Sequence, residues 1–126
     1  MEIHGIGIDL IETERIADSI ARFGERFLNR VFTEREQAYC RPNKHANRHY
    51  AARFAAKEAV AKAFGTGIGA DADWTDIEIL RRPNGEPEVH LHGAAAAYAA
   101  HQGIRTVLIS LTHADAYAAA QALALR

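Results

Sequence analysis

The chain has 126 residues, 48% of them hydrophobic and 25% charged, with a formal net charge of −1 at pH 7. That length suits one compact domain over residues 1–126, and the composition excludes a disordered chain. The near-neutral charge gives no global pull toward nucleic acid or an anionic membrane, so any electrostatic recognition must come from local patches. No apolar run approaches the ~20 residues of a membrane span. Met1-Glu2-Ile3-His4 lacks the basic start and apolar core of a signal peptide. The single cysteine, Cys40, has no partner for an internal disulfide, which fits a reducing compartment. A cytoplasmic protein is expected, with neither nucleic acid nor membrane as partner.

Residues 3–11 alternate isoleucine with glycine and polar residues, which predicts a strand with Asp9 near its end. An amphipathic helix is predicted from Glu14 to about Phe27. Ile16, Ile20, Phe23 and Phe27 form its apolar stripe, and Arg15, Ser19, Arg22 and Arg26 a second stripe about a quarter-turn away. Gly24 ends or bends this helix. Thr33 and Glu36 have capping-box spacing and start a short helix over 33–40. After a polar loop at 41–47, which holds Lys44, a long helix runs from about Arg48 to Phe64 and stops at Gly65. Residues 65–73 form a glycine-rich loop. Trp74–Arg81 and Val89–His92 read as strands of a hairpin closed by the turn Pro83-Asn84-Gly85-Glu86-Pro87. Gly93–His101 is alanine-rich and helical in character, and 104–111 is a strand. The tail at 116–125 is ambiguous: its alanines favour helix, its position after a short turn favours a hairpin strand.

The helix over 48–64 is the most informative segment. Ala52, Ala55, Ala56, Ala59, Val60 and Ala63 share one half of its surface, small enough to sit close against a sheet. The other half carries Arg53, Lys57, Glu58 and Lys62, with Tyr50 and Phe54 among them. Periodicity alone reads that half as a solvated face with an i,i+4 pair between Glu58 and Lys62. Two features point elsewhere. The glycines of Gly65-Thr66-Gly67-Ile68-Gly69 leave backbone N–H groups free to approach phosphates. Three cations around one carboxylate suit a phosphate–metal site, because Mg²⁺ often takes only one or two protein carboxylates beside substrate phosphates and water. His90 and His92 share a strand face, but without a third ligand they read as structural histidines.

The segment Gly5-Ile6-Gly7-Ile8-Asp9-Leu10-Ile11, followed by Arg15-Ile16, resembles the first signature of the bacterial holo-acyl-carrier-protein synthases. Phe54-Ala55-Ala56-Lys57-Glu58-Ala59-Val60-Ala61-Lys62-Ala63-Phe64-Gly65-Thr66-Gly67 resembles the second. Asn84-Gly85-Glu86-Pro87 and Ser110-Leu111-Thr112-His113 match further segments of that family, with Thr112 where a serine is more usual. The resemblance spans nearly the whole chain. It implies the α/β (α+β) phosphopantetheinyl transferase fold: a curved antiparallel sheet packed around a long helix, assembled as a homotrimer with sites between neighbouring subunits. It also implies that the tail is a hairpin strand.

The activity implied is Mg²⁺-dependent transfer of 4′-phosphopantetheine from coenzyme A to a serine of apo acyl carrier protein, releasing adenosine 3′,5′-bisphosphate. By this resemblance Asp9 and Glu58 hold the Mg²⁺, and the proton acceptor is Glu58 or a bound water. Lys62 stabilises the leaving phosphate or holds Glu58 in place, unless it is a simple i,i+4 partner. Lys44, Arg53 and His113 clamp the 3′-phosphate and adenine end of coenzyme A. Asn84 and Pro87 border the adenine, and Gly65 opens the phosphate loop. A non-catalytic coenzyme A or nucleotide-binding module would keep the basic and glycine features without needing paired carboxylates. A trimeric scaffold would leave the charged helix facing solvent. Arg15, Arg22 and Arg26 form a basic face suited to docking an acidic carrier protein. Arg22→Glu is therefore expected to weaken carrier binding and leave coenzyme A binding unchanged; equal carrier affinity in variant and parent would refute the docking role.

Overall fold

Small residues let one helix sit directly on the main sheet. The computed structural model describes residues 1–126. Its elements run β1 (Ile3–Glu12), α1 (Thr13–Phe23), α2 (Glu25–Val31), α3 (Glu34–Cys40), α4 (Ala46–Phe64), β2 (Ile77–Arg81), β3 (Pro87–Leu91), α5 (Gly93–Gln102), β4 (Thr106–His113) and β5 (Tyr117–Leu125). The fold is α+β. β5 lies between β1 and β4 in an antiparallel three-stranded sheet, and β2 and β3 form a separate hairpin.

The 19-residue α4 packs on the inner face of the three-stranded sheet. Gly5 and Gly7 of β1 face it, and a Cβ on either would collide with a backbone carbonyl, that of Ala63 or Ala59 respectively. On β5 the inner face is Ala118, Ala120, Ala122 and Ala124, all buried. Methyl groups are the largest side chains such a close approach leaves room for, which explains the alanine bias of both elements. It also settles the tail. Alanine favours helix in isolation, but residues 117–125 pair with strands on both sides, and that pairing overrides propensity.

Several boundaries differ from expectation; β3 and β4, for instance, are Pro87–Leu91 and Thr106–His113 and not 89–92 and 104–111. The helix predicted over 14–27 is two helices, because Gly24 takes φ 56° and its N–H closes α1 on the Ile20 carbonyl at 2.8 Å. α4 begins two residues before the expected start, at Ala46. The segment from Trp74 opens with a 3₁₀ turn, Trp74–Asp76, before β2 begins. The capping box at Thr33 and Glu36 is present, and Gly65 ends α4 in the left-handed region at φ 87°.

The polar half of α4 is not a solvated face. Lys57 and Glu36 are both fully buried and pair at 2.8 Å. Lys57 Nζ also donates to the carbonyls of Trp74 and Ile77, at 2.9 and 2.5 Å. Glu36 accepts from the backbone N–H groups of Thr33 and Ile79, at 2.8 and 2.7 Å. Burial pulls the Lys57 pKa down, and the charge of Glu36 opposes that. This pair ties α3, α4 and β2 together, so Lys57 belongs to the scaffold and not to a phosphate-binding face. Beside it, burial would raise the pKa of Glu78, but hydrogen bonds from Arg35, Thr33 and His92 outweigh burial and hold the carboxyl at about 2. His92 thus lies on Glu78 at 3.0 Å, and His90 on Glu88 at 2.7 Å.

The contact between β1 and α4 has a direct test. Gly7→Ala forces a methyl group into the Ala59 carbonyl and should destabilise the protein by about 2–4 kcal/mol. An unchanged urea midpoint would show that β1 can move off α4 at little cost.

Candidate active site

Side chains on β1 alternate between faces, so Asp9 points toward α4 with Gly5 and Gly7. Lys62 reaches across from α4 and donates to Asp9 Oδ1 at 3.2 Å and to the Ile8 carbonyl at 2.9 Å. The i,i+4 pair with Glu58 is not made; the lysine is tied to β1 instead. Glu58, one turn before Lys62, is half-buried. Its pKa is raised, first by burial and then by the negative charge of Asp9, with Lys62 opposing. Two carboxylates on different elements are thus near enough to repel. One is neutralised by a lysine, and the other has no ion pair. That arrangement stores unfavourable negative charge which a hard cation would relieve.

A second site lies at the other end of α4. A cleft of about 170 Å³ is lined by His49, Arg53, Arg81, Gly85, Pro87 and His113, over a floor of Ala52, Ile79, Leu80 and Leu111. Arg53 is only 3% exposed. Its guanidinium lies 4.3 Å from the centre of the Tyr39 ring, NH1 donates weakly to the His49 carbonyl at 3.5 Å, and Nε is buried without an acceptor. Arg81 shares the Tyr39 ring at 5.4 Å, donates to the Tyr39 hydroxyl, and is anchored on the Gly85 carbonyl at 3.1 Å. No carboxylate lines the cleft. A buried arginine without an acid is costly unless an anion completes it. The apolar floor suits a flat ring beside that anion.

The structure brings together some of the expected residues and separates others. Arg53, Pro87 and His113 share the cleft. Asn84 stays in the turn, where its side-chain oxygen accepts from the Glu86 N–H at 3.0 Å. Lys44 lies elsewhere, in a concavity beside the Arg48–Asp115 ion pair. Gly65 is exposed and caps α4. Arg15 and Arg22 are exposed on α1, while Arg26 follows the Gly24 break on α2. Arg22 lies over the ring of Phe23, itself about half exposed. His49 and Arg81 are the cleft residues not singled out from sequence. His49 stands one helical turn before Arg53, a spacing that could have revealed it. Arg81 is placed only by the β2–β3 pairing, opposite Pro87.

The profile of the 4′-phosphopantetheinyl transferase superfamily matches residues 5–122. The chain belongs to this superfamily. It is 46% identical over 121 residues to a holo-[acyl-carrier-protein] synthase of Koribacter versatilis, covering 96% of this chain and 97% of the relative. Among solved structures, the Neisseria meningitidis holo-[acyl-carrier-protein] synthase aligns with a TM-score of 0.92 at 33% identity, covering 98% of this chain and 99% of that one. The Helicobacter pylori enzyme of the same name, solved with coenzyme A, aligns with a TM-score of 0.85 at 29% identity, over 95% and 99% of the two chains.

Arg53 is the residue whose cost and use can be separated. In anion-free buffer, Arg53→Met should cost less than about 1 kcal/mol or even stabilise, because it removes an unpaired buried charge. The same variant should be stabilised less by inorganic pyrophosphate, in a thermal melt, than the parent. A large loss of stability without anions, with the pyrophosphate effect kept, would contradict the assignment.

Proposed function

We infer that this chain, acting as one domain, transfers 4′-phosphopantetheine from coenzyme A to a serine of apo acyl carrier protein. The observation that carries the reading is the opposition of Asp9 and Glu58 across β1 and α4, with Lys62 between strand and helix. The superfamily match and the names of the full-length relatives support the same reaction.

The serine oxygen forms a bond to the β-phosphorus of coenzyme A. The bond from that phosphorus to the bridging oxygen breaks, and adenosine 3′,5′-bisphosphate leaves. The cleft with Arg53 and His113 suits the nucleotide end of the substrate, and Pro87 borders its ring. Lys44 and Asn84 would join it only from a neighbouring subunit or after the turn rearranges. Glu58, directly or through a water, takes the serine proton. Lys62 holds Asp9 in place and offsets negative charge on the leaving phosphate. The two carboxylates fit Mg²⁺, since both are hard oxygen donors and Glu58 has no competing partner. When bound, Mg²⁺ would neutralise charge on the pyrophosphate oxygens.

A homotrimer accords with the outer face of the sheet, where Ile6, Ile8 and Leu10 are 61%, 67% and 66% exposed and Leu108 lies on the same face. A contiguous apolar face of this kind is costly in a monomer. The basic surface of Arg15, Arg22 and Arg26, with Phe23, is the reading's docking face for the acidic carrier. No helix is long and apolar enough to cross a membrane. A cytoplasmic role in fatty-acid synthesis belongs to the same proposal.

Mixing the protein with coenzyme A, Mg²⁺ and apo carrier protein should add one phosphopantetheine to the carrier's mass. Asp9→Asn and Glu58→Gln should each slow that gain by at least about 100-fold while the unfolding midpoint is kept. No mass gain, with coenzyme A still bound, would instead identify a non-catalytic binding module.

A further inference from the structure

We propose that His49 adds a proton-linked donor to the phosphomonoester clamp of Arg53 and His113 in the cleft between α4, β2 and β4, making capture of that phosphate sensitive to pH. The inference rests on the coenzyme A reading, because the 3′-phosphate is the phosphomonoester of that substrate.

The two imidazole rings lie 5.2 Å apart, centre to centre, at an interplanar angle of 67°. Every charged or titratable group that faces His49 is neutral or cationic. On its own helix stands Arg53, with His45 just before it; β2 contributes Arg81 and β4 contributes His113. From α3, Tyr39 lies edge-on at 5.5 Å. Burial first, and then these positive neighbours, hold the His49 imidazole below its ordinary value of 6.5. Arg53 adds a buried guanidinium whose Nε has no acceptor. Without ligand the cleft therefore concentrates positive charge and disfavours a proton on His49.

A phosphate dianion reverses that balance. It attracts the imidazolium form of His49, which presents two N–H donors where the neutral ring presents one. Binding thus takes protons from solvent. Proton uptake means that affinity falls as pH rises from the ligand-free pKa of His49 through the phosphate-bound one. A ligand with a hydroxyl in place of the phosphate draws no such proton. The contribution of His49 to discrimination in favour of the phosphomonoester is consequently greatest on the acid side of neutrality.

Imidazole resonances of the full-length protein can be titrated with inorganic phosphate and, at matched ionic strength, with sodium chloride alone. Phosphate should raise the pKa of His49 by about one unit relative to chloride. No rise at His49 would overturn the proposal. Calorimetry in buffers of different ionisation enthalpy then compares coenzyme A with 3′-dephospho-coenzyme A. In the parent, coenzyme A binding should take up more protons than in His49→Gln, and its affinity relative to the dephospho form should fall up to about tenfold further than in that variant between about pH 5 and pH 8. Equal uptake in parent and variant would remove His49 from the proposal. The phosphate titration needs no coenzyme A, so failure of the clamp is distinct from failure of the transferase reading, which appears as an absent mass gain on the carrier.

Discussion

Glycine at positions 5 and 7 removes the side chains that would hold α4 away from β1, and most of the molecule follows from that contact. With the helix backbone against the strand, the facing residues of β5 must also be small, and Ala118, Ala120, Ala122 and Ala124 fill that layer. Each methyl group buries little area, so the layer relies on many close van der Waals contacts and not on a few large side chains. The same approach puts Asp9 within reach of Lys62 and close enough to act on Glu58. A carboxylate pair drawn from a strand and a helix needs a fixed separation between them, and two glycines set it.

Buried charge appears twice, with different physical outcomes. Lys57 and Glu36 are fully enclosed, but together they satisfy one another and four backbone groups. A buried pair with that many partners acts as a local tie and leaves nothing for a ligand to complete. Arg53 is nearly as buried, yet it faces an aromatic ring, a second arginine and two histidines, with no acid. The cost of that arrangement persists until an anion enters. Satisfied and unsatisfied charges on one helix therefore separate scaffold from binding site more cleanly than exposure does.

The two functional regions lie at different places along α4, with Glu58 and Lys62 beside β1 and Arg53 beside the β2–β3 hairpin. The helix acts as a rigid spacer of about 1.5 Å per residue between them. A ligand that carries two separate phosphate groups suits such a spacing. A sheet whose inner face is covered by α4, and whose outer face stays apolar and exposed, suits association with further copies.

Local signals in the sequence determined a good deal. Alternation predicted β1, the Thr33–Glu36 spacing predicted the cap of α3, and Gly65 predicted the end of α4; each depends on residues a few positions apart, so local order suffices. The ordered signatures also named Asp9, Glu58 and Lys62 together. Tertiary structure decided the rest. Whether alanines 116–125 made a strand depended on β1, more than 100 positions away, and on β4. Lys57 became scaffold and Lys62 a partner of Asp9 because Glu36 and β1 arrived from distant sequence to compete for them. His49 and Arg81 joined Arg53 for the same reason. A side chain's neighbours in a helix are fixed by its period, but its partner across a packed interface is fixed only when the interface forms.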